Sequence, residues 1–100
     1  MRFGNWYPLS AAGAHAPEHA GVYQLRIPDG LIAYPNGKSA MIHYGVSSNL
    51  RRAVTELCDR HAGPDWLCRH TVVADDPQAL LATLLERFEQ RFGAPPTLPT

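Results

Sequence analysis

Two stretches of this chain alternate apolar and polar residues with the period of a strand, and the turn signals between them call for an antiparallel hairpin or meander. In the first, Gly21-Val22-Tyr23-Gln24-Leu25-Arg26-Ile27, the apolar Tyr23, Leu25 and Ile27 alternate with Gln24 and Arg26, which predicts a strand with one apolar face. Pro28-Asp29-Gly30 closes it with turn chemistry. Leu31 to Tyr34 offers a short further strand, and Pro35-Asn36-Gly37-Lys38 a second turn. Ser39 to Val46 is the next strand, with Met41, His43 and Gly45 on one face and Ala40, Ile42 and Tyr44 on the other.

Helical spacing takes over after this pair. Leu50, Ala53, Val54, Leu57 and Cys58 recur on one side of a predicted helix, leaving Arg51, Arg52, Glu56, Asp59 and Arg60 towards solvent. Ser47 or Ser48 supplies its N-cap, and Gly63 with Pro64 its stop. Trp66 to Ala74 returns as a strand. Asp76 caps a last helix with Pro77 at its first position, and Leu81, Leu84, Leu85, Phe88 and Phe92 form its apolar stripe. Residues 1 to 20 read as an irregular lead-in, pinned by Phe3, Trp6, Tyr7 and Leu9. The expectation is one α+β domain over residues 1–100, its core in residues 21–98. It has a small antiparallel sheet of about three strands flanked by helices, in the order β-β-α-β-α.

Composition narrows the function classes. Apolar residues make up 45% of the chain and charged residues 18%, which is a globular rather than a disordered balance. Nine basic side chains match nine acidic ones, so there is no whole-molecule attraction to nucleic acid, and any such contact must come from a local basic patch. No apolar run has the length of a membrane span or a secretory signal, and two cysteines make no disulfide framework; a cytoplasmic location is the expectation.

The motifs Gly21-Val22-Tyr23 and His43-Tyr44-Gly45, followed by Val46-Ser47-Ser48-Asn49-Leu50-Arg51-Arg52, carry a family likeness in their order and spacing. So does the late helix, where Ala82-Thr83-Leu84-Leu85-Glu86 is followed nine residues beyond the glutamate by Pro95. Over roughly residues 17 to 98 the chain resembles the GIY-YIG nuclease domain. The resemblance implies a phosphodiester hydrolase acting on DNA or RNA, with two tyrosines, a helix arginine and the late glutamate around one divalent metal, Mg²⁺ or Mn²⁺. Carried onto this chain, Glu86 would bind the ion. Tyr23, His43 and Arg52 would surround the phosphate as catalytic groups, and Asn49, Arg51 and Arg52 would contact nucleic acid.

The pattern departs from the family at particular positions. His43 stands where the second motif begins with tyrosine, and Tyr44 points to the opposite strand face. Ala53 stands where the family has its arginine, so Arg52 is one position short, about 100° round the helix. Val46 replaces a basic residue and Leu98 an asparagine. Two alternatives to an endonuclease therefore stay open: a non-catalytic module of the same fold that binds nucleic acid or a protein partner, and an unrelated small α+β domain or zinc-stabilised adaptor. The zinc reading uses Cys58, His61, Cys68 and His70, whose types suit the ion but whose spacing matches no standard finger.

Overall fold

The protein is described by a computed structural model covering residues 2–61, 63 and 65–99. Its elements run β1 (Tyr7–Pro8), α1 (Leu9–His15), β2 (Gly21–Arg26), β3 (Ile32–Tyr34), β4 (Gly37–Ser39), β5 (Met41–Ser47), α2 (Leu50–Arg60), β6 (Leu67–Val72) and α3 (Pro77–Phe92). The architecture is α+β. Strand β2 is buried along Gly21 to Leu25, on both faces, because it lies inside a four-stranded sheet of order β1-β6-β2-β5. Both of its neighbours run antiparallel, with Tyr23 opposite Gly45 on β5 and His70 on β6. Residues opposite one another share a face. Tyr23, Leu25, His43, Gly45, Cys68 and His70 therefore look one way, and Gln24, Tyr44 and Arg69 the other.

The first face packs against α1 and α2. Leu9, Ala12, Tyr23, Leu25, Ile42, Leu50, Val54, Leu57, Trp66 and Cys68 belong to one buried cluster there. The pairing of β2 with β5 shifts between Leu25 and Arg26, so alternation along β5 is broken and Ile42 joins this cluster instead of facing away from it. The second face meets α3, whose one buried residue, Phe88, sits edge-on to Tyr44 and Tyr34. The β3–β4 ribbon stands apart from the main sheet, and the C-terminal tail returns to it, Thr97 N–H donating to the Tyr34 hydroxyl at 3.2 Å.

Four expectations need correction. The lead-in is not irregular: it supplies strand β1 and helix α1, and so makes the main sheet four strands wide rather than three. The small residues of this lead-in serve close helix packing, since a β-carbon on Gly13 would lie 2.8 Å from the Thr55 hydroxyl of α2. The predicted strand from Ser39 is in fact two, β4 and β5. Finally, α2 is capped by Asn49, whose side chain accepts from the Arg52 N–H, whereas Ser47 closes a local turn with the backbone of Asn49. Asp76 caps α3 as expected, accepting from Ala79 N–H at 3.1 Å, with Pro77 at the start of the helix. Pro64, the other half of the expected α2 stop, lies outside the described residues. Among the described residues no helix is long and apolar enough to cross a membrane.

Candidate functional site

The two motifs meet through their tyrosine and glycine. A β-carbon on Gly45 would collide with the Tyr23 ring at Cζ and the hydroxyl, and would come within 2.7 Å of Cε2. The phenol therefore lies flat across the glycine on the neighbouring strand. Only glycine leaves room for it there. Gly21 is constrained in the same way, since its β-carbon would strike the Thr71 carbonyl and approach Leu50 Cδ1 to 2.7 Å. Sequence order had hinted at a relation between the motifs, and the cross-strand register supplies the reason.

His43 stands beside this phenol, with ring centroids 5.8 Å apart and the planes tilted by 42°. Both groups are held neutral near pH 7. Burial raises the Tyr23 pKa, with Arg60 opposing and Cys68 and Glu56 adding to the rise. Burial lowers the His43 pKa, helped by the nearby His61 and Arg60. Apart from Cys68 on β6, the groups that act on this pair come from the second half of α2 and from His61 just beyond it, whose ring lies 5.1 Å from that of the buried Trp66, tilted by 44°. The cluster is Tyr23, His43, Glu56, Arg60 and His61.

Of these residues, sequence comparison with the family pattern found only the first two. Arg60 follows Ala53 by seven residues, two helical turns, and so lies within about 20° of the position expected to carry an arginine. Glu56 is one turn before Arg60 on the same side. Helical periodicity was the available signal, masked because both residues look like part of an ordinary solvated face.

The other expected residues are placed differently. Arg52 is exposed on the first turn of α2, and only its backbone N–H is engaged, by the Asn49 cap. Arg51 is structural: its Nε donates to the Ala16 carbonyl at 2.9 Å and ties the lead-in to α2. Asn49 is occupied by capping. Glu86 is exposed, and its carboxylate accepts from Gln90 Nε2 at 3.3 Å. Two residues before Phe88, it lies about 160° round the helix from the side that meets the sheet. Ala79 and Ala82, on the same row of α3 as Glu86, face solvent as well. Tyr44 packs on Phe88, on the face away from Tyr23.

No family model, curated protein or solved structure matches the chain.

Among the described residues no three His, Cys, Asp or Glu side chains gather closely enough to hold an ion. That holds for Cys58, His61, Cys68 and His70 as well as for the surroundings of Glu86. Burial also pushes the Cys68 thiol up to about 12, which makes it a poor thiolate ligand or nucleophile. What the cluster offers is a neutral imidazole beside a neutral phenol, within electrostatic range of a guanidinium and a carboxylate on α2. Such a set recognises an anionic oxygen and holds or moves a proton next to it. A separate cavity of about 550 Å³, lined by Ile32, Tyr34, Ala94, Leu98 and Pro99 among others, includes none of these residues.

Proposed function

We propose that this domain binds the phosphate backbone of DNA or RNA on a GIY-YIG-like scaffold, using the cluster of Tyr23, His43, Arg60 and His61. The observation that carries this reading is the neighbourhood of Arg60. A helix arginine acts on the joined tyrosine and histidine of the two motifs, while Glu86 points away from them. Arg60 supplies the charge-assisted contact to phosphate oxygens. His43, kept unprotonated by burial, orients the same group by hydrogen bonding without adding charge. The balanced net charge is compatible with a weak, strongly salt-dependent contact confined to this patch.

Fluorescence anisotropy with duplex DNA, single-stranded DNA and structured RNA tests the proposal. Affinity should fall steeply with salt, and Arg60→Gln should weaken binding and lower the magnitude of the salt slope by about 1. Absence of binding at low salt would turn attention to a protein partner.

Cleavage is the second reading, and one observation favours it: the Glu56 carboxylate acts electrostatically on the same phenol as Arg60. In that reading His43 accepts a proton from the attacking water, and Arg60 holds the charge that develops on the phosphate. A nicking assay with Mg²⁺ or Mn²⁺, and with chelator, examines it. Activity lost in Glu56→Ala and His43→Ala but kept in Glu86→Ala is the expected pattern. Equal activity in all three would mean another site or a contaminant.

A further inference from the structure

The opposite face of the sheet carries a second cluster that the nucleic-acid reading does not use. Arg69 on β6 and Tyr44 on β5 flank Gln24 on β2 in one row, and Arg26 lies two residues along β2 from Gln24. The N-terminal segment folds over this row, held by the Gly4 N–H donating to the His70 carbonyl at 3.0 Å. It brings two aromatic rings with it. The Arg69 guanidinium carbon lies 4.5 Å from the Trp6 ring centre and 4.8 Å from that of Phe3, and the Arg26 guanidinium carbon lies 4.7 Å from Trp6.

Two half-buried cations thus share one indole, an arrangement that raises the question of what balances them. Cation–π contact stabilises a guanidinium but does not neutralise it. Among the described residues the one side-chain acceptor provided is neutral: Gln24 Oε1 takes the Arg69 Nε–H at 2.7 Å. Gln24 itself is 3% exposed, so this bond is a fixed part of the sheet. The Arg26 Nε–H is shut off from solvent and has no hydrogen-bond partner. Among the described residues neither guanidinium is joined to a carboxylate. The Arg69 pKa is lowered by burial, with Tyr44 acting against the fall and the like charge of Arg26 adding to it. Two guanidinium groups on one sheet face, both stacked on Trp6 and without a carboxylate, present donors of the right charge for a small dianion.

We propose that Arg26 and Arg69, braced by Trp6, Phe3 and Gln24, form a binding site for a phosphate monoester dianion on the side of the sheet away from Tyr23 and His43. A phosphate monoester matches the site in charge, carrying nearly two negative charges at pH 7, and its oxygens accept from both forks at once. The site is independent of the proposed backbone contact, which uses other residues on the other face. Free inorganic phosphate and a phosphate carried on an organic group satisfy the same donors.

NMR titration of the isotopically labelled full chain at constant ionic strength tests the site. The probes are inorganic phosphate, adenosine 5′-monophosphate and sodium chloride as the control. The Trp6 indole N–H and the arginine ε N–H signals should shift saturably with both phosphates and not with chloride. Equal affinities mean that the phosphate alone is recognised; tighter binding of the nucleotide means that its ring adds a contact, and either result upholds the site. Arg26→Lys and Arg69→Lys keep the charge but lose the fork, and each should weaken binding about tenfold. Arg87→Gln, on the exposed side of α3, should leave it unchanged. Gln24→Glu supplies the missing carboxylate, so this variant should retain the native amide spectrum and lose phosphate binding. Shifts no larger than those with chloride would overturn the proposal. So would undiminished affinity in natively folded Arg26→Lys and Gln24→Glu proteins.

Discussion

Replacing Gly45 with alanine tests the central geometry of the fold. The new methyl would occupy the place of the Tyr23 ring, at Cζ and the hydroxyl, and lie 2.7 Å from Cε2. The ring cannot simply retreat, because Tyr23 is 8% exposed and packed within the main core cluster. Overpacking a filled site costs about 1–3 kcal/mol, whereas removing a strand glycine returns roughly 0.5–1 kcal/mol. With so little room the steric cost falls in the upper part of its range, leaving a net loss of about 2 kcal/mol. For a domain of this size that lowers the melting temperature by about 8–16 °C, read by thermal and urea denaturation. In a Tyr23→Leu background the methyl has no ring to meet, so Gly45→Ala should cost less than about 0.5 kcal/mol and the two sites should couple by ~1.5–2 kcal/mol. An equal cost in both backgrounds would refute the reasoning, as would a neutral Gly45→Ala in the native sequence.

Three further outcomes are expected. His43 and His70 both titrate below the usual 6.5 in the folded protein, so below that pH the unfolded chain binds more protons than the native one. Stability should therefore be full above about pH 6.5 and fall as pH drops through the lowered folded values; a melting temperature equally high at pH 5 in native and His43→Gln proteins would contradict this. Asn49→Ala removes the α2 cap and should cost about 1 kcal/mol in urea unfolding, whereas Ser48→Ala should cost almost nothing. Glu86→Ala loses one exposed contact with Gln90 and should change stability by less than about 0.5 kcal/mol, while Phe88→Ala, on the buried side of the same helix, should cost about 3–5 kcal/mol.

Much of the local structure was legible in the residues. Alternation around Tyr23 and Leu25 marked β2, and Asp76-Pro77 marked the start of α3, because strand period and helix capping are short-range effects. The lead-in was misread for an equally local reason. Its alanines and Gly13 carry little hydrophobic signal, and their value lies in the close contact with Thr55, a partner distant in sequence. The bulge that brings Ile42 into the core left no mark that alternation could detect.

The candidate site shows the same division. Sequence determined which groups are available: Tyr23, the histidine at position 43 and an arginine-rich second helix. Tertiary structure decided which of them act together. It laid Tyr23 across Gly45, left Arg60 rather than Arg52 to act electrostatically on the tyrosine–histidine pair, and turned Glu86 to solvent. A strand residue's face depends on register and a helix residue's direction on which stripe is buried. Both are settled by packing between segments remote in the chain.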